Sequence, residues 1–252
     1  MSRTALITGA GRGIGAATAR ELARRGFHTI VNYVRDADSA AAVVKDIEAA
    51  GGTARAVRAD VCDPVQVDAL LDACPPLDAL VCNANQQPPF GPLESMTWEM
   101  FHGKLHGELA AAFHVSRHAL AQMRERRAGT IVYVSSVSAA LTSPGAIAHS
   151  SAKAALEAFA RHVALEAAPH GITVNTIAPA AVATEATAAV LTPERRAAIA
   201  GRSVLGRVLE PEDVARAIAA AVEGGLDRGG LQAVTGARIA VDGGYLLMAD
   251  SS

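Results

Sequence analysis

The chain has 252 residues, half of them apolar, enough for one α/β domain with a large buried core. Its 23 Lys and Arg nearly balance 25 Asp and Glu, leaving a formal net charge of −2. With no basic excess, no acidic tail and aromatics at 4%, the composition speaks against a nucleic-acid-binding surface and against a disordered chain.

The three cysteines, Cys62, Cys74 and Cys82, are odd in number and form no C-x-x-C pair. They read as idle thiols of a reducing compartment. The first apolar run is broken by glycines between positions 9 and 15 and is too short for a signal-peptide core. No stretch approaches the roughly 18 apolar residues of a membrane span. A cytoplasmic location is expected.

Strand-like and helix-like segments alternate along the chain. A β-prone run at residues 4–8 leads through glycines into a helix at 14–25, ended by Gly26. A strand is predicted at 29–33, a helix at 39–50 closed by Gly51 and Gly52, and a third strand at 54–59. Asp63 and Pro64 open the next helix as N-cap and first helical residue. Residues 77–82 form strand four, and a loop rich in Pro and Gly leads to a long helix at 98–127. Gly129 stops it. Residues 130–135 are nearly all apolar, as suits a central parallel strand buried on both faces. Helix 146–168, strand 172–178, helices 193–200 and 211–223 and a late strand at 238–241 complete the pattern. Such alternation predicts a doubly wound α/β fold, a parallel sheet with helices on both faces, in one domain over residues 1–252. A substrate lid is expected at about 185–205, where Thr192 and Pro193 open a helix.

Between strand one and helix one lies Thr8-Gly9-Ala10-Gly11-Arg12-Gly13-Ile14-Gly15. Glycines here permit a tight turn and let a pyrophosphate approach the backbone, and the helix start offers free N–H groups and a positive dipole end. The spacing is G-x-x-x-G-x-G. Placed in the first βα turn, this loop resembles that of the short-chain dehydrogenase/reductase family, and the likeness runs along the whole chain. Asp60 and Val61 resemble the family's adenine contact, and Asn83-Ala84 its N-A-G segment. Ser136 and Lys153 match its catalytic serine and lysine. Asn175, Pro179 and Thr184 resemble its N-x-x-x-P-G-x-x-x-T segment, and Val241-Asp242-Gly243-Gly244 its C-terminal signature.

The resemblance implies a Rossmann fold, a nicotinamide cofactor and a homotetramer or homodimer packed through the two long helices. It assigns Gly9, Arg12, Gly13, Ile14, Gly15, Tyr33, Arg35, Asp60, Val61, Asn83, Ala84, Lys153, Pro179 and Thr184 to the cofactor. NAD-binding relatives carry an acidic residue at the end of strand two, whereas this strand ends Asn32-Tyr33. Arg12 and Arg35 could instead grip a 2′-phosphate, so NADP(H) is expected.

The reaction centre departs from the pattern. The family places a Tyr four residues before the Lys, on one helix face. Here the segment reads His149-Ser150-Ser151-Ala152-Lys153. The family's helix asparagine falls at Glu108, N-A-G reads Asn83-Ala84-Asn85, and P-G reads Pro179-Ala180. An imidazole can still move a proton. Glu108, His149 and Lys153 are therefore expected to form a replacement proton relay, with Ser136 orienting a substrate carbonyl or alcohol. Three readings stay open: a carbonyl reductase or dehydrogenase, a lyase, isomerase or cyclase using His149 and Glu108, and a protein that binds cofactor without turnover. The pairs His102/His106 and His114/His118 have metal-compatible spacing but no convergent third ligand, and no metal is expected.

Overall fold

The computed structural model describes residues 3–188, 191–226, 231 and 233–248. Seven parallel strands form one sheet in the order β3-β2-β1-β4-β5-β6-β7. The strands are β1 (Arg3–Ile7), β2 (Phe27–Tyr33), β3 (Thr53–Arg58), β4 (Ala79–Cys82), β5 (Gly129–Val134), β6 (Ile172–Pro179) and β7 (Arg238–Val241). Between them run α1 (Gly13–Arg24), α2 (Ala37–Ala49), α3 (Pro64–Asp72), α4 (Trp98–Arg126) and α5 (Ile147–Ala167), with α6 (Pro193–Gly201) and α7 (Pro211–Gly225) between β6 and β7. This is the doubly wound arrangement that the alternation predicted and the Rossmann fold that the resemblance implied.

Two apolar layers hold the sheet. Leu22, Val43, Ile47, Ile218 and Val222 cover one face from α1, α2 and α7. Leu70, Leu71, Val115, Met123 and Leu156 cover the other from α3, α4 and α5. Every residue of β5 is buried, as its unbroken apolar run requires. Its one phenol, Tyr133, is fully buried and finds Ser116 Oγ at 2.6 Å.

Strand edges differ slightly from expectation. β2 begins two residues early because Phe27 pairs with Arg3, whose guanidinium lies 4.1 Å over the Phe27 ring. β4 begins two residues late because Asp78 faces Thr4 with its carboxylate, which accepts from Thr4 N at 2.7 Å. Asp36 caps α2 by accepting from Ser39 N, so that helix starts ahead of Ser39.

The chain runs outward from β1 to β3, then returns to β4 on the other side of β1. The strand order therefore reverses between β1 and β4, and the crevice at their C-terminal ends is where such sheets take a ligand. Among the described residues no helix is long and apolar enough to cross a membrane. All three cysteines are free thiols. Burial pushes Cys62 up to about 11 and Cys82 up to about 12, so neither is a ready nucleophile.

Candidate active site

The glycine loop lies in this crevice and is held from three sides. Gly9 adopts φ +62, and a Cβ there would stand 2.9 Å from Ala84 Cα. A Cβ on Gly15 would meet Asn83 Nδ2 at 2.5 Å and Gly9 O at 2.6 Å. Neither position has room for a side chain. Asn83 donates from Nδ2 to Thr8 O at 3.0 Å and Gly9 O at 3.1 Å. Thr8 Oγ1 accepts from the amides of Asn83 and Ala84, each at 3.0 Å. Asn83 and Ala84 thus lock the loop itself.

Asn32 does the same from β2, and the sequence reading missed it. Its Oδ1 accepts from Gly9 N at 3.2 Å while Nδ2 donates to Ala59 O at 3.0 Å. Asn32 follows the β-prone run Thr29-Ile30-Val31 and is fully buried, which the sequence itself does not mark.

The helix that follows is free to receive an anion. Arg12, at the N-cap of α1, makes no side-chain capping bond, and the first turn has no acidic residue. No capping side chain therefore takes up the orphan N–H groups at the dipole's positive end, while Glu185 Oε2 lies 3.8 Å from where a Cβ on Gly13 would sit. Thr184 closes the loop from the far side, its methyl 3.3 Å from where a Cβ on Gly13 would sit. Pro179 ends β6 close by. Glycines where a Cβ would collide, and an uncapped helix start, are what a dinucleotide pyrophosphate requires.

At the C-terminal end of β2, Tyr33 ends the strand and its carbonyl accepts from Ala59 N at 2.9 Å. Val61 is buried, and Asp60 holds Cys62 N at 2.9 Å. Arg12 and Arg35 are exposed. Asp36 stands beside them, and its carboxylate is drawn below its usual range by Ser39, with a smaller contribution from Arg12. Asp36 is turned toward α2, where it caps the first turn.

β5 and α5 carry the residues expected at the reaction centre. Ser136 leaves β5 with its Oγ 3.1 Å from both the amide and the hydroxyl of Ser138. Lys153 on α5 is buried and donates to Val134 O at 2.8 Å and to Glu108 Oε1 at 2.7 Å. The second oxygen of Glu108 faces Lys104 Nζ at 2.6 Å. Sequence reasoning passed over Lys104, although Lys104 and Glu108 are four apart on one helix. Two ammonium groups hold Glu108 below the usual carboxylate range against the opposing effect of burial. A carboxylate so clamped is not poised to carry a proton.

His149 stands one helical turn before Lys153. Its Nδ1 is buried without a hydrogen-bond partner, and the Phe90 ring lies 6.1 Å away. Burial, then Lys153 and Lys104, lower its pKa to about 4, while Glu108 opposes them weakly. The structure therefore brings Glu108 to Lys153 directly, but the Glu108 carboxylate does not keep the imidazole charged. The lysines on either side of the carboxylate neutralise its pull. The Phe90 loop is pinned to the segment before α5 by Gly91 N donating to Gly145 O at 2.9 Å.

No group of His, Cys, Asp or Glu suited to a metal occurs among the described residues. His102 and His106 stack with ring centres 5.9 Å apart, and His118 meets Asp68 at 3.1 Å.

The short chain dehydrogenase model matches residues 3–195, and the chain belongs to that oxidoreductase family. It is 38% identical over 248 residues to cis-4-hydroxycyclohexanecarboxylate dehydrogenase of Sinomonas cyclohexanicum, with 96% of each chain covered. It is 37% identical over 190 residues to a 3-oxoacyl-(acyl-carrier-protein) reductase of Synechocystis, covering 74% of this chain and 76% of that one. Among solved structures, it resembles a candidate NAD(P)-dependent gluconate 5-dehydrogenase of Beutenbergia cavernae that holds NADP at low occupancy. That match has a TM-score of 0.87 and 34% identity over 97% of each chain.

Proposed function

We propose that this chain is an NADP(H)-dependent oxidoreductase that interconverts a ketone and a secondary alcohol, with His149 in the place of the family's tyrosine. The observation that supports the reading is an uncapped helix start beside the glycine cradle at the β1–β4 reversal, with Ser136 just past the end of β5 and His149 and Lys153 one turn apart on α5. Gly9, Gly13, Ile14 and Gly15 would seat the pyrophosphate. Asp60 and Val61 would border the adenine, and Arg12 and Arg35 the 2′-phosphate, with Tyr33 beside them. Asn83, Ala84, Pro179 and Thr184 would wall the nicotinamide half. When bound, that cofactor supplies or accepts a hydride.

Ser136 then orients the substrate oxygen by a hydrogen bond. Lys153 anchors the nicotinamide ribose. Glu108 keeps Lys153 in place and is a positioning residue, not a link in proton transfer. His149, neutral at pH 7, is a base for alcohol oxidation; for reduction it must first take a proton from water. The reductive kcat/KM therefore rises as pH falls from 8 toward 5, and the oxidative one holds level over that range.

The groove of about 570 Å³ lined by His102, Leu105, His106, Phe113 and Phe159 supports pairing of α4 and α5 with a second copy, as in a homodimer or homotetramer. Residues 185–205 are proposed as a lid. Two of them, 189 and 190, lie outside the described residues. Helix α6 within the segment has no buried residue, which suits a cover that moves.

The test is direct. NADPH binding is followed by fluorescence, then its consumption is assayed with cyclohexanone carboxylates, other cyclic ketones and β-ketoacyl thioesters. Turnover on one of these, lost by about 10²-fold or more in His149→Ala with NADPH affinity kept, is the expected result. Tight NADPH binding with no turnover on any ketone or matching alcohol refutes it.

A further inference from the structure

Lys104 is a buried cation for which the proposed reaction has no direct use. Its side chain is 0% exposed, a place where an ammonium persists only if its protons have acceptors. It has three: Glu108 Oε2 at 2.6 Å, Gln86 O at 3.2 Å and Asn85 Oδ1. Two of these belong to the loop that leaves β4, and one to α4 itself. Glu108 carries the connection on to Lys153, and Lys153 to the last carbonyl of β5. Gly107 completes the join, because a Cβ there would fall 2.4 Å from the Gln86 side chain. Loop and helix pack backbone to side chain with no spacer.

Two departures from the family pattern, Asn85 for Gly and Glu108 for Asn, thereby belong to one network with Lys104 at its centre. We infer that Lys104 is a positioning residue that ties the Asn83–Gln86 loop, through Glu108, to Lys153, and sets the field in which His149 works. The inference rests on the proposed function only in treating Asn83 and Ala84 as a wall of the cofactor seat.

The charged groups that act on His149 are Lys153 from its own helix and Lys104 and Glu108 from α4. Each ammonium opposes a proton on the imidazole, and the carboxylate favours one. Cys62 and Cys82 also face Glu108, and burial keeps both thiols protonated.

The test uses the full chain and needs no substrate. The His149 ring is followed by NMR in protein carrying labelled histidine, its signal assigned by loss in His149→Gln. Lys104→Gln keeps hydrogen bonding but removes the charge, and Lys104→Arg keeps the charge. In Lys104→Gln the His149 titration is expected about one pH unit above that of the unmodified protein, with little shift in Lys104→Arg. NADPH affinity, read by fluorescence, is expected to fall several-fold in Lys104→Gln. An unmoved titration, or an equal shift in both variants, overturns the inference. Should Lys104→Gln not fold, Asn85→Ala cuts the loop's hold alone. It is expected to weaken NADPH several-fold with the His149 titration in place, and unchanged affinity overturns the inference. Loss of turnover on every ketone would leave these readouts intact, so the two readings fail separately.

Discussion

Glu157 Oε1 accepts from Ser135 Oγ at 2.8 Å and from Arg238 Nε at 2.9 Å, which ties α5 to the end of β5 and to β7 in a single oxygen. Arg238 also reaches Ser136 O at 3.4 Å. The strand end that presents Ser136 is thus fastened to the helix that presents His149 and Lys153, one turn past the lysine.

Replacing Glu157 by Leu strands a half-buried guanidinium and a buried hydroxyl. We expect a loss of about 2–4 kcal/mol in urea unfolding, and a smaller one for Glu157→Gln, which keeps an acceptor. A Leu variant as stable as the unmodified protein would remove the pair from any structural role.

Gly15→Ala places a methyl within 2.9 Å of Ala10 Cα and closer still to Asn83 and Gly9. Backbone cannot yield as a flexible side chain does. We expect a stability cost of about 1–3 kcal/mol and loss of nucleotide binding by more than tenfold. Calorimetry with NADPH and NADH measures it; full affinity for both would mean that the pyrophosphate sits elsewhere.

Arg12→Ala and Arg35→Ala should each weaken NADPH more than NADH, because only the 2′-phosphate is lost as a partner. The double variant is expected to bring the two affinities within about threefold. Equal losses for both nucleotides would refute the phosphate assignment.

The His149 imidazole titrates near 4 in the folded protein, against 6.5 as its ordinary value. Above pH 6.5 both folded and unfolded chains leave it neutral, and it costs nothing. Below that pH the unfolded chain takes up the proton first, so stability falls as pH drops, until the folded form also titrates near pH 4. The loss across this window is on the order of 2–3 kcal/mol. Unfolding of His149→Gln at pH 7.5 and pH 5 should show a shallower decline than the unmodified protein; parallel declines would contradict the depressed pKa.

The fold was legible because each strand and helix carried a local signal. The run at β5 had no polar interruption that a surface strand would need, and Asp63-Pro64 announced α3 chemically. Glu108 could be placed as the family's helix-asparagine position, and the contact with Lys153 followed from that placement. Lys104 and Asn32 were not legible in the same way. Asn32 takes its meaning from Ala59, distant in sequence, and Lys104, though one turn from Glu108, takes the rest of its meaning from the Gln86 carbonyl and from burial. Burial without periodicity gives no trace in a single chain. The weakness of Glu108's pull on His149 was hidden for the same reason, since it depends on a second lysine that only packing brings into range.

Asn32 sets a boundary on redesign. Its amide donates to the carbonyl of Ala59, just past β3, while its oxygen receives the Gly9 amide. An aspartate there, the obvious change for a 2′-hydroxyl instead of a 2′-phosphate, would turn an acceptor against an acceptor and loosen the turn it was meant to serve. Any change of coenzyme in this chain has to be engineered further along, between Tyr33 and Asp36, where the backbone has already left the sheet.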